Sequence, residues 1–85
     1  METYIIEYLN KLYRWSFDAN GFNLNTRRGC HIESKIPSKE DTYYWGRWGE
    51  VKREIKYLFN LSTNEAEEVM LDWLNEAYKE ATMVK

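Results

Sequence analysis

The sequence predicts an α+β fold in which three helices pack with a two-stranded antiparallel hairpin, in the order helix, hairpin, helix, helix. Three observations predict it. Apolar residues recur at helical spacing up to Phe17 and again through the C-terminal half, apolar and polar residues alternate between Phe22 and Ile36, and 85 residues leave room for one small core. The expected organisation is therefore a single α+β domain spanning residues 1–85.

From Thr3 to Phe17, the residues Ile5, Tyr8, Leu9, Leu12 and Ser16 share one helical stripe, while Glu7, Asn10, Lys11 and Arg14 fall on the other side. Thr3 has the short polar side chain of an N-cap, and Asp18-Ala19-Asn20-Gly21 supplies a stop, so the first helix is expected to end near residue 17 or 18. The period then changes to two. Phe22, Leu24 and Thr26 alternate with Asn23 and Asn25, Arg27-Arg28-Gly29 intervenes, and Cys30, Ile32, Ser34 and Ile36 alternate with His31, Glu33 and Lys35. This reads as a hairpin with an arginine pair at its tip, and a two-stranded ribbon of that size must lean on the helices to persist in water.

Pro37 closes the second strand, and Ser38 with Asp41 has the spacing of a capping box, so a second helix is expected from there to about Asn60. Its apolar stripe is Tyr44, Trp48, Val51, Ile55, Leu58 and Phe59, with Arg47, Glu50, Glu54 and Tyr57 on the far side. Gly46 and Gly49 each lower helix propensity by about 1 kcal/mol relative to Ala, which permits a start as late as Trp48. Ser62 and Glu65 form a second capping-box pattern, and Glu65, Glu67 and Glu68 place negative charge at the positive end of a helix dipole, so a third helix is expected from residue 63. Ala66, Val69, Met70, Trp73, Leu74, Ala77 and Ala81 make its apolar stripe. Glu68, Asp72, Asn75, Glu76 and Lys79 make its wet, acidic face.

Composition narrows the function classes. With 44% apolar and 31% charged residues, one Pro and four Gly, the chain is neither disordered nor collagen-like. A net charge of -2 excludes both a strongly basic, histone-like protein and a highly acidic mimic of nucleic acid. Charge is nevertheless polarised, with eight basic against five acidic residues between 27 and 56 and two against six from 57 onward. The lone Cys30 cannot form an intramolecular disulfide, and no Cys/His set offers the ligands of a structural zinc site, so neither metal nor other cofactor is expected. Without a basic leader or a long apolar run, the expected location is cytoplasmic, with no membrane partner.

The densest unusual segment is Tyr43-Tyr44-Trp45-Gly46-Arg47-Trp48-Gly49, followed by Lys52, Arg53 and Lys56. On a continuous helix, Trp45, Gly49, Lys52 and Lys56 share a narrow arc outside the apolar stripe. Aromatic residues flanked by cations suit both protein hot spots and stacked bases with their phosphates. In the plainer alternative, Tyr44 and Trp48 are core, Trp45 covers the core edge and the cations are an ordinary wet face. Arg27 and Arg28 at the hairpin tip add two guanidinium groups with a reach for carboxylates or phosphates. The candidate partner-binding set is thus Arg27, Arg28, Tyr43, Trp45, Arg47, Lys52, Arg53 and Lys56.

Catalytic patterns are thin. Glu33-Ser34-Lys35 with Asp18 upstream and Glu7 on the first helix faintly resembles the Asp…Glu-x-Lys arrangement of restriction-endonuclease-like nucleases, which implies Mg²⁺ held by carboxylates. The competing reading makes Glu33 and Lys35 outward-facing charges on an edge strand. Cys30 and His31 are neighbours on a strand, where side chains alternate, so a buried thiol beside a solvent-facing imidazole is expected rather than a nucleophile and its base.

These features point to a small non-enzymatic interaction module, an inhibitor or adaptor that occupies a surface of a larger protein or protein–nucleic acid complex through segment 43–56 and the hairpin tip. In size and aromatic content the chain is similar to small inhibitors of phages and mobile elements, such as anti-CRISPR proteins, a likeness of style that no motif carries. The alternative is a nucleic-acid-binding protein using the same residues, with a Mg²⁺-dependent nuclease a distant third. Four Trp and seven Tyr exceed what so small a core hides, so a homodimer through helix two or three is also open.

Overall fold

The computed structural model describes residues 2–37, 43–46 and 48–83, with side chains at all of these except 36, 37, 43–46 and 83. Helix α1 spans Glu2–Leu12, strand β1 Tyr13–Phe17, β2 Cys30–Pro37, β3 Tyr43–Gly46, helix α2 Trp48–Leu58 and α3 Thr63–Met83. The α+β order of helix, antiparallel hairpin, helix, helix is present, and a third strand is added to the hairpin. β2 lies in the middle, paired antiparallel with β1 on one side and β3 on the other.

The first helix is shorter than its periodicity predicts. Ile5, Ile6 and Leu9 are its buried face, but the continuation to Phe17 relied on Ser16 within the apolar stripe. Tyr13-Arg14-Trp15-Ser16-Phe17 alternates aromatic with polar residues, and aromatic side chains fit a pleated surface better than the Asn-rich stretch from Phe22 to Thr26 does. β1 therefore takes the place beside β2, in the register Tyr13↔Ser34, Trp15↔Ile32 and Phe17↔Cys30. That register puts Tyr13, Trp15 and Phe17 on the same side as Cys30, Ile32 and Ser34, which are buried.

The segment expected to be the first hairpin strand is instead a folded loop. The Asn23 side-chain oxygen accepts hydrogen bonds from the Asn25 and Thr26 amides at 2.8 and 3.1 Å, and the Asn23 amide donates to the Arg28 carbonyl at 2.8 Å. At the loop's end the Asp18 amide donates to the Gly29 carbonyl at 2.9 Å. Gly29 has φ +75°, and a Cβ there would sit 2.6 Å from the Gly21 carbonyl oxygen, so the closure requires glycine.

Segment 43–46 is strand rather than the start of a helix, and α2 begins at Trp48, the later of the two expected starts. Ser38 and Asp41, the expected capping pair, lie outside the described residues. Helix α2 stops at Leu58 because Asn60 adopts φ +55° and the Leu61 amide donates back to the Lys56 carbonyl at 2.9 Å, a left-handed C-terminal cap. The expected capping box of α3 is present in both directions, Glu65 amide to Ser62 Oγ at 3.1 Å and Ser62 amide to Glu65 Oε1 at 2.8 Å.

The core is built by Ile5, Ile6 and Leu9 of α1, Ile32 of β2, Val51 and Ile55 of α2, and Ala66, Val69, Met70 and Trp73 of α3. Trp73, 1% exposed, donates its indole N–H to Asn10 Oδ1 at 2.8 Å and lies 5.1 Å from the Trp15 ring and 6.4 Å from Tyr13. One side chain thereby ties α3 to α1 and to the sheet. Two members of the expected stripes depart from it: Leu58 is 55% exposed in the last turn of α2, and Ala81 is exposed near the end of α3. Glu54, expected on the wet side, is half-buried and accepts hydrogen bonds from the Tyr8 and Tyr13 hydroxyls at 2.5 and 2.6 Å, joining α1 and β1 to α2.

Two outcomes follow for the fold. Trp73→Ala removes the largest fully buried side chain among the described residues and leaves a cavity, so urea unfolding is expected to show a loss of about 3–5 kcal/mol. Burial, followed by the hydrogen bond to Glu54 and the Glu54 charge, pushes the Tyr8 hydroxyl from 10.0 up to about 12. Because the folded state favours the neutral phenol, this contribution to stability is complete below pH 10.0 and is lost as pH rises toward about 12. Following the Tyr8 ring carbon by NMR should show late titration in the parent and a midpoint moved downward in Glu54→Gln.

Candidate interaction surface

Helix α2 has three distinct sides. Val51 and Ile55 face the core. Trp48 and Lys52, one turn apart, meet α3 at Glu67, whose Oε1 accepts from Trp48 Nε1 at 3.3 Å and from Lys52 Nζ at 3.1 Å. Gly49, Arg53, Lys56 and Tyr57 form the outer side, all exposed.

The loop tip reaches the second of these sides. Arg27 adopts φ +62°, a left-handed conformation uncommon outside glycine, and its guanidinium carbon lies 4.2 Å from the centre of the Trp48 ring. Burial alone would raise the Glu67 carboxyl, but hydrogen bonds from Lys52 and Trp48, with the charges of Lys52 and Arg27, outweigh it and hold the group below its ordinary 4.5. Loop tip and α2 are thus neighbours. Arg28 is exposed, its backbone held by Asn23 and Thr26, and it makes no ion pair among the described residues.

The expected arc of Trp45, Gly49, Lys52 and Lys56 does not exist as one helical face. Tyr43 and Trp45 lie on β3, where Trp45 is the register partner of Glu33 and Tyr43 that of Pro37. Their side chains, and Arg47 altogether, fall outside what is described. Lys52 is turned toward Glu67, whereas Arg53 and Lys56 stay on the outer side with no ion pair to a carboxylate among the described residues. The Lys56 ammonium donates to Thr63 Oγ1 at 2.9 Å, which leaves its charge uncompensated.

Tyr57 lies outside the partner-binding set expected from the sequence. It is 88% exposed and, with Arg53, Lys56, Asn60 and Leu61, lines a groove of about 440 Å³ beside the α2–α3 turn. The sequence did hold a signal: an aromatic residue on the wet side of an amphipathic helix, one turn from Arg53 and next to Lys56. A methyl group built on Gly49 would meet no atom within 4 Å, so the start of this face is open to close approach by another backbone.

The other candidate chemistries do not assemble. Glu33 pairs with Arg14, Asp18 with His31 at 3.2 Å, and Lys35 donates to the Asn10 carbonyl. Glu33 and Lys35 also sit on the central strand, not on an edge. Among the described residues no group of three or more His, Cys, Asp or Glu is placed to hold a metal ion. Cys30 is buried, and burial followed by the Asp18 charge pushes its thiol up, with Arg27 opposing, which disfavours the thiolate.

No protein-family model, curated protein or solved structure matches this chain. Among the described residues no helix is long and apolar enough to cross a membrane.

The Glu67 cluster sets an acid limit on this side of α2. A carboxyl held low in the folded state stabilises the fold above its unfolded value of 4.5, and that contribution disappears as pH falls through the lower folded value. Lys52→Met should therefore be less stable than the parent at pH 7, with the difference shrinking as pH falls below 4.5 when both are unfolded in urea.

Proposed function

We propose that this chain is a protein-interaction module that works by occupying the surface of a larger partner, with the outer side of α2 as the docking face. The observation that carries the reading is Tyr57, an almost fully exposed aromatic ring flanked by Arg53 and Lys56, neither of which has a carboxylate partner among the described residues. Tyrosine and arginine are the residues that anchor protein interfaces, because a rigid ring buries large area at small entropic cost and a guanidinium binds carboxylates through two parallel hydrogen bonds.

The complementary surface is acidic, with an apolar recess for the phenol ring. Arg27 and Lys52 stiffen the adjoining side through Trp48 and Glu67 rather than projecting as free cations. That division favours a protein partner over a nucleic acid, which rewards a run of uncompensated cations along its phosphates. A module that covers a partner's surface in this way acts as an inhibitor or an adaptor.

Affinity capture from a lysate of the source cells, split into nuclease-treated and untreated halves, tests this, using the parent, Tyr57→Ala and Arg53→Ala/Lys56→Ala. A protein retained by the parent should bind Tyr57→Ala about 30-fold more weakly, a hot-spot loss of roughly 2 kcal/mol, while thermal stability stays close to parental because the ring is exposed. Recovery of nucleic acid released by moderate salt, or a captured protein indifferent to all three substitutions, would overturn the reading.

A further inference from the structure

The α2–α3 turn separates two grooves of opposite charge. On its α2 side lies the basic groove of Arg53, Lys56 and Tyr57. On its other side a groove of about 400 Å³ lies against the start of α1 and the first turns of α3, with Tyr4 and Phe59 on its wall and Glu2, Glu65 and Glu68 at its rim. Tyr4 is 49% exposed and stands edge-on to Phe59 at 5.6 Å, so this groove offers an aromatic wall as well as negative charge. Asn60 and Leu61 line both grooves, which makes the two immediate neighbours across one turn.

We propose that these grooves are matched to each other, and that a second copy of this chain occupies them in a twofold-symmetric dimer. In that dimer the basic groove and Tyr57 of each copy face the acidic groove of the other. Each groove supplies what its counterpart lacks: two cations and a projecting ring on one side, three carboxylates and an aromatic wall on the other. Adjacency decides the symmetry. A twofold axis passing near the shared Asn60 and Leu61 exchanges the grooves in a single step, so the assembly closes at two copies and leaves neither groove open to propagate a filament. The inference rests on the reading of the outer side of α2 as a docking face, and it makes the second copy a competitor of the larger partner for that face.

Sedimentation of the purified 85-residue chain over a range of concentrations tests the dimer, with three charge combinations. The parent should dimerise, and added salt should weaken the dimer by screening. Arg53→Glu/Lys56→Glu alone and Glu2→Lys/Glu68→Lys alone each place like charges across the interface and should weaken self-association at least about 100-fold. An equimolar mixture of the two variants should restore a dimer containing one copy of each. Circular dichroism confirms that each variant is folded, and Tyr57→Ala, which alters no charge, provides a second disruption should a reversal fail to fold. A parent that stays monomeric at millimolar concentration, or variants that dimerise as the parent does, would overturn the proposal. A monomeric parent with Tyr57-dependent capture of a larger protein overturns the dimer alone, whereas loss of that dependence overturns the docking face on which it rests.

Discussion

Trp73 is the side chain around which the molecule is assembled. An 85-residue chain has little apolar area to hide, and a buried tryptophan contributes more of it than any other residue type. Its ring meets Trp15 and Tyr13 of β1, and its N–H is satisfied by Asn10 of α1, so α3 is fixed against both the sheet and the first helix. The aromatic contacts continue outward, from Trp15 to Trp48 at 6.2 Å and through Phe17 and Phe22 to Tyr78. Much of the high aromatic content is therefore structural, used where a larger protein would use aliphatic layers.

Glu54 plays the matching polar part. A carboxylate on a short helix would ordinarily face water, yet here two tyrosine hydroxyls converge on it and it becomes the joint between α1, β1 and α2. With Val51 and Ile55 committed to the core, Glu54 to the tyrosines and Lys52 to Glu67, the orientation of α2 is fully determined. Outward on the helix lie Gly49, Glu50, Arg53, Lys56, Tyr57 and Leu58, of which Lys56 also holds Thr63 of α3. Tyr57 thus stands out because the core had opportunity to bury other rings and left this one in water.

The loop from Asp18 to Gly29 shows how a functional-looking feature acquires a structural role. Arg27 was conspicuous as one of a pair at an exposed tip. In the fold it lies over Trp48 in a left-handed backbone conformation, and its charge helps hold Glu67 ionised beside Lys52. Loop, α2 and α3 meet there, so the basic character of the middle of the chain is partly consumed internally by the acidic third helix. Beyond that contact, Arg28, Arg53 and Lys56 carry charge that no carboxylate among the described residues compensates.

By itself the sequence determined α3 from its Ser62–Glu65 cap through Trp73, the core side of α2, the central strand from Cys30, and the α+β class. These depend on interactions between residues a few positions apart, where capping and periodicity are visible in one dimension. Tertiary structure decided which segment pairs with β2, because Tyr13–Phe17 and Phe22–Thr26 both alternate and only the first also places three rings against Trp73 and its neighbours. It likewise decided that residues 43–46 join the sheet, that Glu54 is enclosed and that Arg27 reaches Trp48. Most of those outcomes turn on partners more than ten positions away in sequence, up to 46 for Tyr8 with Glu54, and no local spacing encodes them.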